Sequence, residues 1–283
     1  MPELPEVENI AIGLRQQVLG LEIKNAEIAR GDIVYGPFAS IWQEFITRYQ
    51  GSRIKKIIRR AKRLIILYDN DLAMLIQLGM TGKFLIKQQD DPVDKHTHMT
   101  LKLCDDRRLC YVDPRRFGRV WLLLSLETSN AKLLDRQMCQ LGMGSLGPEA
   151  TGVTTKELTQ ILDNERLIKT LLLDQTRIAG LGNIYVDESL FATGIHPETK
   201  SRAVTGTKIP KLAENIRKIL KKAIKNGGTT FSDYRNAYGE MGKFKKMLYV
   251  YGRDGQPCRK CGCDIEKIKI SGRSSHFCPK CQK

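Results

Sequence analysis

The feature that most constrains this chain is a spacing near its C-terminus. Cys258 and Cys261 form one C-x-x-C pair, Cys278 and Cys281 a second, and sixteen residues separate the pairs. Two such turns place four thiolates around one tetrahedral centre, with a β-hairpin between them. That is the ligand set of a structural Zn2+, and four thiolates leave no open coordination position for catalysis. Cys263 is a spare thiol beside the second cysteine, read as a bystander. Cys104, Cys110 and Cys139 are scattered. The N-terminus is acidic and proline-bearing, whereas a secretion signal begins basic and turns apolar, so the expected compartment is the cytoplasm and metal is favoured over disulfides. No apolar run reaches the roughly 18 residues of a membrane span.

Charge is distributed unevenly. Residues 201–283 carry 20 Lys and Arg against 6 Asp and Glu, so nearly all of the net +16 lies in the last third of the chain. Such asymmetry points to a polyanionic partner, most simply nucleic acid. A hydrophobic fraction of 41% over 283 residues is enough for one large or two modest cores.

Residues 5–19 repeat apolar positions at Val7, Ile10, Leu14 and Val18, with Pro5 suited to a first turn and Gly20 to a stop; this predicts a helix. Eight short β-branched segments follow, at 21–29, 53–60, 64–68, 72–78, 83–87, 99–104, 109–112 and 119–124. Strands without intervening helices predict an antiparallel sandwich or barrel. After about Glu127 the pattern becomes helical. Thr154-x-x-Glu157 reads as a capping box, and helices are expected at 167–173, 184–192 and 210–225. Residues 229–248 have weak periodicity and read as a long loop. The expected fold class is therefore α+β, with an N-terminal helix, an antiparallel β-sandwich, a helical domain and a cysteine-bearing hairpin. The expected boundaries are 1–128, 129–248 and 249–283.

Met1-Pro2-Glu3 offers a specific chemistry. Once an initiator methionine is removed, Pro2 presents a secondary amine that can attack an electrophilic sugar carbon and form an iminium, with Glu3 beside it as general acid or base. A retained Met1 would convert that amine to an amide.

Five segments in order carry a resemblance: Pro2-Glu3-Leu4-Pro5-Glu6-Val7-Glu8, Arg60-Ala61-Lys62, Asp113-Pro114-Arg115-Arg116-Phe117-Gly118, Gly180-Leu181-Gly182-Asn183-Ile184-Tyr185, and Arg273 with Cys278-Pro279-Lys280-Cys281-Gln282-Lys283. Together they resemble the formamidopyrimidine-DNA glycosylase family of bacterial base-excision enzymes. The resemblance implies a helix-two-turn-helix fold for the central domain. It implies Pro2 as nucleophile at C1′ and Glu3 as proton donor at the sugar. It also implies Lys62 as phosphate contact and proton donor, and Arg273 as phosphate contact assisting δ-elimination. Met80, Arg115 and Phe117 would form a wedge that fills the gap left by a flipped base. Asn183 would bind phosphate at a helix N-terminus. His96 and Lys169 would approach DNA, although on residue type alone both read as solvated. Asn164, where the family often has lysine, is carried as a DNA contact. A loop at about 229–246, with Gly228, Gly239 and Gly242, would close over the base.

The partner implied is double-stranded DNA holding oxidised purines or abasic sites, bound by a monomer. Two other readings compete: the same fold acting on oxidised pyrimidines, and a non-catalytic zinc-ribbon DNA-binding protein. The second leaves the Pro-Glu terminus and Lys62 without a purpose.

Overall fold

The computed structural model describes residues 2–128, 130–230 and 241–283. Met1 and most of the expected closing loop, Gly239 included, lie outside the described residues. The chain divides into two compact units, residues 1–145 with 227–243, and residues 146–226 with 244–283. The boundaries expected from the sequence fall after 128 and 248. Two buried arginines explain why residues 131–143 stay with the first unit. Arg60 makes a two-pronged ion pair with Asp135, at 2.9 and 2.7 Å, and Arg63 donates to the Met143 carbonyl. Residues 227–230 stay there because Glu6 accepts the Thr229 N–H.

The first unit opens with α1 (Leu4–Val18), capped by Glu3, whose N–H donates to Glu6 Oε2. Nine strands follow: β1 (Ile23–Ile28), β2 (Val34–Tyr35), β3 (Ile54–Arg60), β4 (Arg63–Tyr68), β5 (Ala73–Gln77), β6 (Lys83–Lys87), β7 (Thr97–Leu103), β8 (Arg108–Val112) and β9 (Arg119–Leu123). All eight expected strands are present, within two residues at each end. The short β2, which pairs in parallel with β9, and α2 (Trp42–Ile46) carried too little periodicity to be foreseen. One sheet has the order β1-β7-β8-β6 and the other β2-β9-β5-β4-β3. Inward residues alternate, as a pleat requires. Leu64 and Ile66, Met74 and Ile76, Leu101 and Leu103, and Leu109 and Tyr111 join Val7, Ile10 and Leu14 of α1 in one core. The unit ends with α3 (Ala131–Met138).

The second unit contains α4 (Thr155–Leu162), α5 (Ile168–Leu173), α6 (Asn183–Thr193), α7 (Lys208–Lys225) and the hairpin of β10 (Glu266–Ile270) and β11 (Arg273–Phe277). The Thr154–Glu157 capping box opens α4 as expected. Helix α6 is buried on nearly every side, which is why it includes two buried carboxylates, Asp187 and Glu188. Glu188 accepts the backbone N–H groups of Tyr249, Val250 and Tyr251 at 2.9–3.1 Å, and so ties α6 to the entry of the cysteine unit. Burial pushes its carboxyl above the ordinary range even against those three donors.

The four cysteines behave as their spacing demands. Their sulfurs all lie within 4.8 Å of one another, with Cys261 and Cys278 at 3.4 Å and Cys258 and Cys281 at 4.0 Å. A tetrahedron of Zn–S bonds about 2.3 Å long has edges of about 3.8 Å, so the set fits one structural zinc. Cys258 and Cys278 pack with Phe191, Val250 and Ile265. Gln282 accepts from the Cys278 N–H and donates to the Ile195 carbonyl, fixing the metal turn to the end of α6.

Two predictions follow from this unit. Replacing Glu188 by Ala strands the buried Val250 N–H, at about 1–3 kcal/mol, and removes the acceptor of two part-buried N–H groups; urea unfolding should show a loss of at least ~1 kcal/mol. Elemental analysis should find one zinc per chain in the protein and in Cys263→Ser, but substoichiometric zinc in Cys261→Ser.

Candidate functional site

In the first unit, the strand register places the candidate residues at one end of the five-stranded sheet. Arg63 of β4 pairs with Gln77 of β5, and Gln77 pairs with Arg119 of β9. The turn preceding β4, the segment leaving β5 and the segment entering β9 therefore lie side by side. These carry Lys62, Met80, and Arg115 with Phe117.

Lys62 is half-buried in a two-residue turn joining β3 to β4. Its neighbour Ala61 has φ 54°, the left-handed region that costs a side-chain-bearing residue about 1–2 kcal/mol. Arg59 supports the strained residue. Its guanidinium donates to the Ala61 carbonyl at 3.0 Å and pairs with Glu8 on α1. Burial raises the Glu8 carboxyl, but Arg15 and Arg59 together hold it below the ordinary range. The helix that begins next to Pro2 and Glu3 thus anchors the turn that carries Lys62. Pro2 and Glu3 are both buried at the start of α1, and Glu6 Oε1 accepts the Thr229 N–H at 2.7 Å. Gly228 touches that carboxylate too closely to carry a side chain: an added Cβ would lie 2.8 Å from Glu6 Oε1.

Met80, Phe117 and Arg115 are exposed, and the Arg115 guanidinium lies 5.0 Å from the centre of the Phe117 ring. Two large apolar side chains left in solvent beside a cation depart from the core assignment their residue types favour. The two segments touch directly, because an added Cβ on Gly79 would lie 2.5 Å from the Phe117 carbonyl carbon. His96, half-buried, joins the same edge through its carbonyl, which accepts the Asp113 N–H at 3.0 Å.

In the second unit the hairpin turn Ser271-Gly272 has φ 47° and 78°, the two positive values of a tight type I′ connection. It holds the exposed Arg273 at the hairpin tip. The Ser274 carbonyl, next in sequence, receives two donors, Asn183 Nδ2 at 2.8 Å and Lys169 Nζ at 2.7 Å. Lys169 corrects the residue-type expectation of a solvated lysine. It is fully buried and ion-paired with Asp187 at 2.6 Å. Asp187 also accepts the His276 N–H at 2.9 Å, so His276 faces inward rather than joining the hairpin's basic surface. Two expected residues, Asn183 and Lys169, therefore meet at the Ser274 carbonyl, which follows the third, Arg273, in the chain. Asn164 stands elsewhere, half-buried, its side chain accepting the Arg166 N–H in a local turn.

Sequence reasoning missed Glu6, Thr81, Asp113 and Asp187 as site residues. Glu6 and Asp113 lie within the matched segments but were not singled out. Asp187 had no signal beyond its place on an otherwise apolar helix.

Three family models match the chain. The formamidopyrimidine-DNA glycosylase N-terminal domain covers residues 1–120, the H2TH domain of the same enzyme covers 145–235, and the zinc finger found in FPG and IleRS covers 255–283. A formamidopyrimidine-DNA glycosylase of Latilactobacillus sakei is 39% identical, over 100% of this chain and 98% of its own. The solved complex of Lactococcus lactis Fpg with abasic-site DNA has a TM-score of 0.87, at 36% identity and full coverage of both chains. A MutM complex with DNA containing carbocyclic 8-oxo-G reaches 0.86, also at 36% identity and full coverage. Over its whole length, from the N-terminal domain to the zinc finger, the chain belongs to the formamidopyrimidine-DNA glycosylase family.

Proposed function

We propose that this protein is a bifunctional DNA glycosylase and abasic-site lyase of base-excision repair that removes oxidised purines. The observation that carries the reading is its full-length likeness to enzymes solved on abasic-site and 8-oxo-G DNA. The geometry of its own residues supports the steps.

The reading assigns the nucleophile to Pro2, freed of Met1. Its nitrogen lone pair bonds to C1′ as the glycosidic bond breaks, and the base departs with a proton. Glu3 assists protonation at the sugar, which opens to leave an iminium between Pro2 and C1′. Loss of a C2′ proton then expels the 3′ phosphate, and a second elimination expels the 5′ phosphate. Lys62, at its strained turn, is the phosphate contact and proton donor for the lyase step. Arg273, at the hairpin tip, is the phosphate contact for the second elimination. Asn183, at the start of α6, adds a phosphate contact. His96 and Asn164 are carried as further DNA contacts. The buried Lys169 contributes by orienting the Ser274 carbonyl next to Arg273. Met80, Arg115 and Phe117 occupy the gap left by the flipped base, with Arg115 able to hydrogen-bond the orphaned partner. The zinc holds the hairpin and takes no part in bond making. The substrate-bearing partner is duplex DNA, the acting species is a monomer, and the compartment is the bacterial cytoplasm. Among the described residues no helix is long and apolar enough to cross a membrane.

The test is covalent trapping. Borohydride added during reaction with 8-oxoguanine duplex should reduce the iminium to a stable adduct. Intact mass should rise by the sugar-bearing fragment, and peptide mapping should place it on Pro2. An adduct on a lysine, or none, would overturn the assignment of the nucleophile.

A further inference from the structure

The two segments that carry Met80 and Arg115–Phe117 are the crossovers between the two sheets of the first unit. Residues 78–82 leave β5 and enter β6; residues 113–118 leave β8 and enter β9. Their ends are paired on both sides, Gln77 with Arg119 in one sheet and Lys83 with Val112 in the other. The topology therefore runs them alongside each other but does not by itself fix how far each tip projects.

That remaining freedom is removed by one buried pair. Thr81 Oγ1 donates to Asp113 Oδ1 and accepts the Arg115 N–H at 3.1 Å. The hydroxyl thus bonds to the opposite segment at Asp113 and Arg115, where that segment begins, while its own neighbour is Met80. Asp113 is fully buried and saturated from several directions. Its Oδ2 accepts the Gly118 N–H at 2.7 Å, and the Tyr111 hydroxyl stands 3.5 Å away. Its carbonyl is 2.8 Å from His98 Nε2. Gly118 has no room for a side chain, since an added Cβ would collide with that same Tyr111 hydroxyl. A buried carboxylate with fixed donors on both oxygens is rigid, because any displacement strands a charge away from water.

We propose that Thr81 and Asp113 form a latch that makes the two crossovers a single rigid wedge, with Thr81 as a positioning residue for Met80, Arg115 and Phe117. This rests on the wedge reading of those three residues. Met80 and Phe117 then enter the gap together, at the height that Arg115 needs to reach the unpaired base. Without the hydroxyl, Arg115 loses its backbone anchor, Asp113 loses a donor, and the two tips move independently.

The experiment follows insertion itself. A duplex carries a tetrahydrofuran abasic analogue with 2-aminopurine opposite, and stopped-flow fluorescence reports the rate at which the full-length protein perturbs that base. A lost hydrogen bond with a stranded buried partner corresponds to a change on the order of 10-fold. Thr81→Val and Thr81→Ala should each slow insertion by about that factor. Thr81→Ser, which keeps the hydroxyl and loses only the methyl, should restore it. Thr81→Ala, which adds no methyl facing Asp113, decides the matter if Thr81→Val fails to fold by circular dichroism. Met80→Ala serves as the direct test of the wedge. If Met80→Ala slows insertion while Thr81→Ala does not, the latch is overturned and the wedge stands. If Thr81→Ser is as slow as Thr81→Ala, the hydroxyl is irrelevant and the latch is overturned. If Met80→Ala also leaves the rate unchanged, the wedge reading fails and takes the latch with it.

Discussion

The Asp187 carboxylate is the point on which the C-terminal hairpin depends. It lies on the most buried helix of its unit, and a carboxylate there is tolerable only with donors on both oxygens. Lys169 supplies a charge to one and the His276 N–H a hydrogen bond to the other. Each of these donors in turn fixes the hairpin, His276 directly and Lys169 through the Ser274 carbonyl. A residue that would be a liability in an apolar core thereby sets the direction in which Arg273 is offered.

The same device recurs. Glu6 joins the cap of α1 to Thr229, Glu188 joins α6 to three successive amides, and Asp113 joins the two sheet crossovers. In every case a short acidic side chain receives a donor from a distant segment of its own unit, a backbone N–H for Glu6 and Glu188 and the Thr81 hydroxyl for Asp113. Apolar packing determines which strands and helices form a layer, but it is tolerant of small slips. A buried carboxylate is not, and this is why the connections carrying the candidate site residues are held by charge rather than by oil.

Much of this architecture is legible in the sequence, for identifiable reasons. The eight strands declared themselves because each alternates or runs β-branched between turn residues. The zinc turns declared themselves by spacing alone, and α4 by its capping box. Boundaries between units were less legible, since Arg60 and Arg63 reach into a segment 75 to 80 residues away that has no local signal of belonging to the first sheet region. Lys169 was misread as solvated because a lysine's burial depends on a partner, and Asp187 is close only in the fold. Met80 and Phe117 would pass for core residues by type. Their exposure follows from lying on crossovers, which no periodicity reveals.

The hairpin that offers Arg273 has five-residue strands and a two-residue turn, too little to persist alone in water. Its persistence depends on four sulfur ligands as well as on Asp187. Thiolates are also the groups most readily converted to sulfenic and sulfinic acids. Of the four, Cys258 and Cys278 are buried, while Cys261 and Cys281 are partly open to solvent. Within the metal site, oxidative wear would therefore begin at Cys261 and Cys281. It would reach the presentation of Arg273 before it reached Pro2, Glu3 or Lys62, which stand in the other unit.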